Sequence, residues 1–85
     1  MPTNPFTGVW EEVKRCNRHL DPKGIFIVEV PEDLRIRIED LADTYVEVRE
    51  ALMPFSGNTV RFRASKAVEA SKKPYLKELK RRKGD

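Results

Sequence analysis

Leu34, Ile38, Leu41, Tyr45, Val48 and Leu52 follow one another at spacings of 4, 3, 4, 3 and 4. Alternating fours and threes keep all six side chains on one face of an α-helix, at the average repeat of a coiled-coil seam. The spacing predicts one continuous helix over residues 31–53. Pro31 suits its first turn, Glu32 and Asp33 complement the positive N-terminal dipole, and Pro54 and Gly57 stop it. Such a stripe must be buried, either in the domain's own core or against a second copy. It spans only about two and a half heptads, short of the three or four of a coiled coil. Its flanking residues, Arg35, Ala42 and Arg49 on one side and Arg37, Thr44 and Ala51 on the other, do not supply the opposite charges of a zipper. The six residues therefore read as a core seam with some capacity for self-association.

On the N-terminal side, Val9, Val13, Cys16 and Leu20, with Phe6 and Trp10 adjoining, predict an earlier helix reaching Leu20 and capped by Asn4 or Thr7. Asp21-Pro22-Lys23-Gly24 reads as a type I turn. Ile25 to Val30 is the strongest strand signal, bounded by Gly24 and Pro31, and its poor alternation predicts cover on both faces. Met53 to Thr59 reads as a loop, and Val60-Arg61-Phe62-Arg63 as a second, alternating strand. The two strands are expected to form a parallel pair joined by the central helix, or to pair between subunits. From Ala64 the pattern is helical again, through Ala67, Val68 and Ser71 and then Tyr75, Leu76 and Leu79, with Pro74 kinking this helix or starting another. The expected fold is α+β and mostly helical, ordered α-β-α-β-α: a long central amphipathic helix, a two-stranded sheet and a basic C-terminal helix. Residues 1–65 form the expected core domain and 66–85 the basic tail.

The net charge of +3 is unevenly placed. Residues 1–65 carry nine basic and eleven acidic side chains, and residues 66–85 carry eight basic and three acidic ones. The tail cations are Lys66, Lys72, Lys73, Lys77, Lys80, Arg81, Arg82 and Lys83, and Arg61 and Arg63 on the second strand extend the set. Cations on most faces of a helix suit a phosphate backbone, which they bind without reading base sequence. The expected function is thus non-enzymatic, largely nonspecific nucleic-acid binding by a small homo-oligomer. A competing target is an acidic protein surface such as Glu39, Asp40, Asp43, Glu47 and Glu50, on the outer side of the central helix. In that case the chain is a structural or adaptor subunit.

Other chemistries find little material. One cysteine, Cys16, excludes an internal disulfide framework, and Cys16 with His19 cannot furnish the four ligands of a structural zinc site. No third group suggests itself to orient His19 as a base for Cys16, and no glycine-rich phosphate loop is present. No enzyme activity, cofactor or metal is expected. The longest apolar run, Ile25 to Val28, is far too short to cross a membrane, and MPTNPFTG has no secretory character, so a cytoplasmic location is expected. The segment Val28-Glu29-Val30 followed by Pro31-Glu32-Asp33-Leu34, Ile38, Leu41 and Ala42, together with Val46 to Leu52, is similar to the ribbon-helix-helix repressors. It departs from them in an unbroken helix through Asp43-Thr44 and in a strand without alternating polar residues. In size and charge layout the chain also looks like phage packaging and virion-assembly adaptors, with no motif in support.

Overall fold

The turn at Asp21-Pro22-Lys23-Gly24 closes a hairpin that the apolar spacing around it conceals. In the computed structural model, which describes residues 4–72, the first helix (α1) spans Pro5–Arg15. Asn4 caps it: its side-chain oxygen accepts from the Phe6 N–H at 3.0 Å, and Pro5 occupies the first turn. The helix does not reach Leu20. Cys16 turns to extended backbone (φ −82°, ψ 168°), and Asn17–Leu20 form a strand, β1. It pairs antiparallel with β2, Ile25–Glu29, from Asn17↔Glu29 to Leu20↔Phe26. The Asp21 N–H donates to the Ile25 carbonyl and the Gly24 N–H to the Asp21 carbonyl, while the Asp21 carboxylate accepts from the N–H groups of Lys23 and Ile25. Gly24 has φ +84°, the left-handed residue that follows a type I turn in a three-residue hairpin loop. The turn was readable, but its consequence, a strand on its N-terminal side, outweighs the helical spacing of Cys16 and Leu20.

The expected central helix is two helices, α2 (Glu32–Thr44) and α3 (Val46–Ala51), separated by Tyr45 in extended backbone (φ −120°, ψ 128°). Thr44 and Val46, both β-branched, flank the break, and the Thr44 hydroxyl donates back to the Asp40 carbonyl, a bond that competes with the helix ladder. A straight helix over 32–51 would run about 30 Å, and the longest dimension of the molecule is 36 Å. Breaking at Tyr45 lets Val48 and Ala51 turn back onto the core.

The expected two-stranded sheet is a four-stranded antiparallel one, in the order β1-β2-β4-β3. Met53 to Thr59 is not a loop. Leu52–Ser56 is β3, Thr59–Arg63 is β4, and Gly57 (φ +58°) with Asn58 makes the two-residue turn between them. A glycine of positive φ at the first turn position followed by a negative-φ residue is the type II′ arrangement, whose twist matches the flanking strands. Pro54 is tolerated because β3 is an edge strand, with an irregularity between Met53 and Ser56. β2 and β4, the two strands legible in sequence, lie side by side but antiparallel, from Ile25↔Arg63 to Glu29↔Thr59. The strand parallel to β2 is β3, so the crossover through α2 and α3 skips one position. The last described helix, α4, spans Ala64–Lys72.

All four described helices lie on one face of the sheet. Phe6, Val9, Trp10 and Val13 of α1, Leu34 and Ile38 of α2, Val48 of α3, Ala67 and Ala70 of α4, and Val28, Val60 and Phe62 of the sheet form one buried core. Trp10 packs edge-on to Phe62, with ring centroids 5.4 Å apart, and Phe6 stacks on Trp10 at 5.8 Å. Of the expected seam, Leu34, Ile38 and Val48 are buried here and Leu41, Tyr45 and Leu52 pack against them, so all six are used within the chain. The 65/66 boundary falls inside α4, whose alanines share this core. β2 pairs with β1 and β4 of its own chain, not with a strand of a second subunit.

Candidate functional site

Strict alternation in β4 gives the sheet two unlike faces. Val60 and Phe62 point into the helix layer, and Thr59, Arg61 and Arg63 point away from it. The register extends this second face across the strands: His19, Ile27, Arg61 and Met53 form one row, and Ile25 with Arg63 another. No described helix covers it. Ile25, Ile27 and Met53 are half-buried there, and Glu29 is its one acidic strand residue among the described strands. The apolar run that predicted cover on both faces of β2 therefore has one face in the core and one at the surface.

Both arginines are steadied by backbone carbonyls. Arg61 donates from Nε (3.0 Å) and Nη2 (2.7 Å) to the Pro54 carbonyl, and Arg63 donates from Nη1 to the Glu50 carbonyl at 2.8 Å. Both arginines are exposed. Such anchoring fixes the forks without neutralising their charge. Lys66 sits round the corner from Arg63, where it shares a small cavity between α3 and α4 with Glu47, Glu50 and Glu69. The Glu47 Oε1 atom is buried there without a hydrogen-bond partner. Lys72 lies elsewhere, beside α1. The structure thus brings Arg61, Arg63 and Lys66 to adjoining surfaces and leaves Lys72 apart. Lys73, Lys77, Lys80, Arg81, Arg82 and Lys83 lie outside the described residues.

Among the described residues most acidic side chains lie in the helix layer. α2 and α3 carry seven carboxylates and three arginines. The break at Tyr45 divides the expected acidic face: Glu39, Asp40 and Asp43 are exposed on α2, while Glu47 and Glu50 turn toward α4. Arg35 bridges to Glu39 at 2.8 Å and Glu32 at 3.6 Å, and also donates to the Asn58 side chain at 2.6 Å, tying α2 to the β3–β4 turn. Arg37 pairs with Glu12 of α1 at 2.7 Å, and this hydrogen bond and charge raise the Arg37 pKa further above its ordinary value. Cys16 and His19 are parted by the helix-to-strand change: the Cys16 thiol is half-buried and donates to the Glu12 carbonyl at 3.3 Å, and His19 stands on the open sheet face. Among the described residues no three metal-binding side chains converge, and no helix is long and apolar enough to cross a membrane.

Sequence reasoning selected Arg61 and Arg63 but missed the surface that holds them. Ile25, Ile27 and Met53 were read as strand core or loop, and the signal that could have placed them was the alternation of β4 carried across the register to its neighbours. No protein-family model matches this chain, and neither a curated protein nor a solved structure is significantly similar to it.

Proposed function

We propose that this chain is a non-enzymatic nucleic-acid-binding protein that engages phosphate through the open face of its sheet together with its basic C-terminal segment. The observation that carries this reading is the segregation of charge between layers. Arg61 and Arg63 stand on the open sheet face with their backbones held by β2 and β3, while α2 and α3 concentrate carboxylates on the other side. A polyanion approaching such a molecule is steered to the sheet. Ile25, Ile27 and Met53 provide apolar surface beside the arginines, and contacts made by the arginines to phosphate are largely indifferent to sequence. Binding of this kind fits a cytoplasmic protein.

Fluorescence titration of the full-length chain with single-stranded DNA, duplex DNA and RNA at several salt concentrations tests the reading. Log affinity is expected to fall linearly with log salt, by roughly 0.7–0.9 per phosphate contacted. The double substitution Arg61→Gln/Arg63→Gln is expected to reduce that slope by about 1–2. Binding that ignores salt, or a slope that both arginines leave unchanged, overturns the assignment of the sheet face.

The exposed carboxylates of α2 favour a second reading, a structural subunit whose basic segment docks on an acidic protein face, in a neighbouring copy or another protein. Charge reversal at Asp40 and Asp43 then dissociates the assembly in size-exclusion chromatography without changing nucleic-acid affinity.

A further inference from the structure

The two edges of the sheet are finished differently. At the β3 edge, Pro54 has no N–H to offer, its carbonyl is taken by Nε and Nη2 of Arg61, and the strand is irregular between Met53 and Ser56. Proline and irregular pairing are devices that keep an edge from accepting another strand. β1, at the other edge, has neither. Asn17–Leu20 pair with β2 in unbroken register, and all four residues are exposed.

Backbone geometry defines what the β1 edge offers. The Asp21 N–H donates to the Ile25 carbonyl, so the Asp21 backbone faces β2. Facing alternates along an antiparallel strand, so Asn17 and His19 also bond toward β2, and the N–H and C=O groups of Arg18 and Leu20 point away from it. Among the described residues no strand lies beyond β1 to receive them. Apolar surface collects at the same edge. Leu20 is 54% exposed and Val68 of α4 is 39% exposed, and both line a groove with Trp10 and Phe26.

We propose that β1 pairs with β1 of a second copy of this chain, antiparallel about a two-fold axis at His19. Two outward-facing residues one position apart complement themselves: Arg18 of each copy stands opposite Leu20 of the other and exchanges both backbone bonds with it. This register satisfies every outward group of β1. A shift of two residues one way sets Arg18 against Arg18. The opposite shift sets Arg18 against Pro22, which has no N–H. In the matched register Leu20 instead lies beside the aliphatic stem of the other copy's Arg18, and the two guanidinium groups stay apart. Both sheets join into one, and the two open faces become a single surface, with the Arg61 residues five strand spacings, or about 24 Å, apart. The apolar seam of α2 and α3 takes no part, because it is used within each chain. This pairing does not rest on the nucleic-acid reading and holds whatever the open face binds.

Sedimentation equilibrium and amide hydrogen exchange on the full-length chain test it. A monomer–dimer equilibrium is expected. The Arg18 and Leu20 amides should be protected at high concentration and lose protection on dilution, while the His19 amide, bonded to β2, stays protected. Arg18→Pro removes an outward N–H and no bond to β2, and it should weaken dimerisation about 30-fold, the effect of two hydrogen bonds lost per dimer. Cross-linking fixes the register and does not depend on how that variant folds. In a Cys16→Ser background, His19→Cys should form an intermolecular disulfide, since Cα atoms facing each other at such a position are about 4.5 Å apart. Asn17→Cys, about 13 Å from its counterpart, should not. A full-length chain that stays monomeric, amide protection indifferent to concentration, or cross-linking at Asn17 in place of His19 overturns the proposal.

Discussion

The two faces of the sheet are separated by single residues of the same strand, yet they obey different physics. On β4, Phe62 is fully buried against the rings of Phe6 and Trp10, while its neighbours Arg61 and Arg63 stand in solvent on carbonyl anchors. The closed face holds the domain together by close packing. The open face contributes little to that packing and is free to carry charge. A small sheet with its described helices on one side only therefore leaves its second face exposed, at the cost of half-exposed apolar residues on β2.

Phe62→Ala should break the closed face most severely, costing about 3–5 kcal/mol by urea denaturation, a loss large enough to unfold many domains of this size. Val28→Ala, also on the closed face, should cost about 2 kcal/mol, whereas Ile27→Ala on the open face should cost about half as much although it removes more side chain. Equal losses at the two positions would refute the asymmetry. Gly57→Ala should cost about 1 kcal/mol, because a side chain is strained at φ +58° even though space around the position is open. Arg61→Gln and Arg63→Gln should change stability least, by less than about 0.5 kcal/mol each, while altering the salt dependence of nucleic-acid binding. Arg37→Gln should likewise cost under about 1 kcal/mol, an amount that added salt removes. Because the Arg37 pKa is raised, its stabilising contribution is complete at neutral pH and is lost only as pH rises through that strongly alkaline value.

Legibility in the sequence followed the locality of the cause. A cap at Asn4 or Thr7 and the turn at Asp21 depend on residues a few positions apart and were readable, and the structure chooses Asn4. So was the start of α4 at Ala64, where strand alternation gives way to helical spacing. β1 was not, because Cys16 and Leu20 continue the apolar rhythm of α1, and only pairing with β2 makes Asn17–Leu20 a strand. β3 was hidden by Pro54, Ser56 and Gly57, which read as loop residues until the edge position and a tight turn explain them. Within the candidate surface, Arg61 and Arg63 were found from charge, but their separation from Lys72 and their company of Ile25, Ile27 and Met53 depend on strand register.

By itself the sequence determined the apolar inventory, the positions of the tight turns, β2 and β4, and the concentration of cations after residue 65. These follow from side-chain chemistry and short-range backbone preference, which act wherever the chain goes. Tertiary structure alone decided that the 31–53 repeat breaks at Tyr45 and that four strands align antiparallel in the order β1-β2-β4-β3. It also decided which face of the sheet stays open. Helical spacing specifies which side chains must be buried but not what buries them. Here the repeat folds back at Tyr45 onto the core that holds Trp10 and Phe62, and the register of β4 leaves Arg61 and Arg63 outside it.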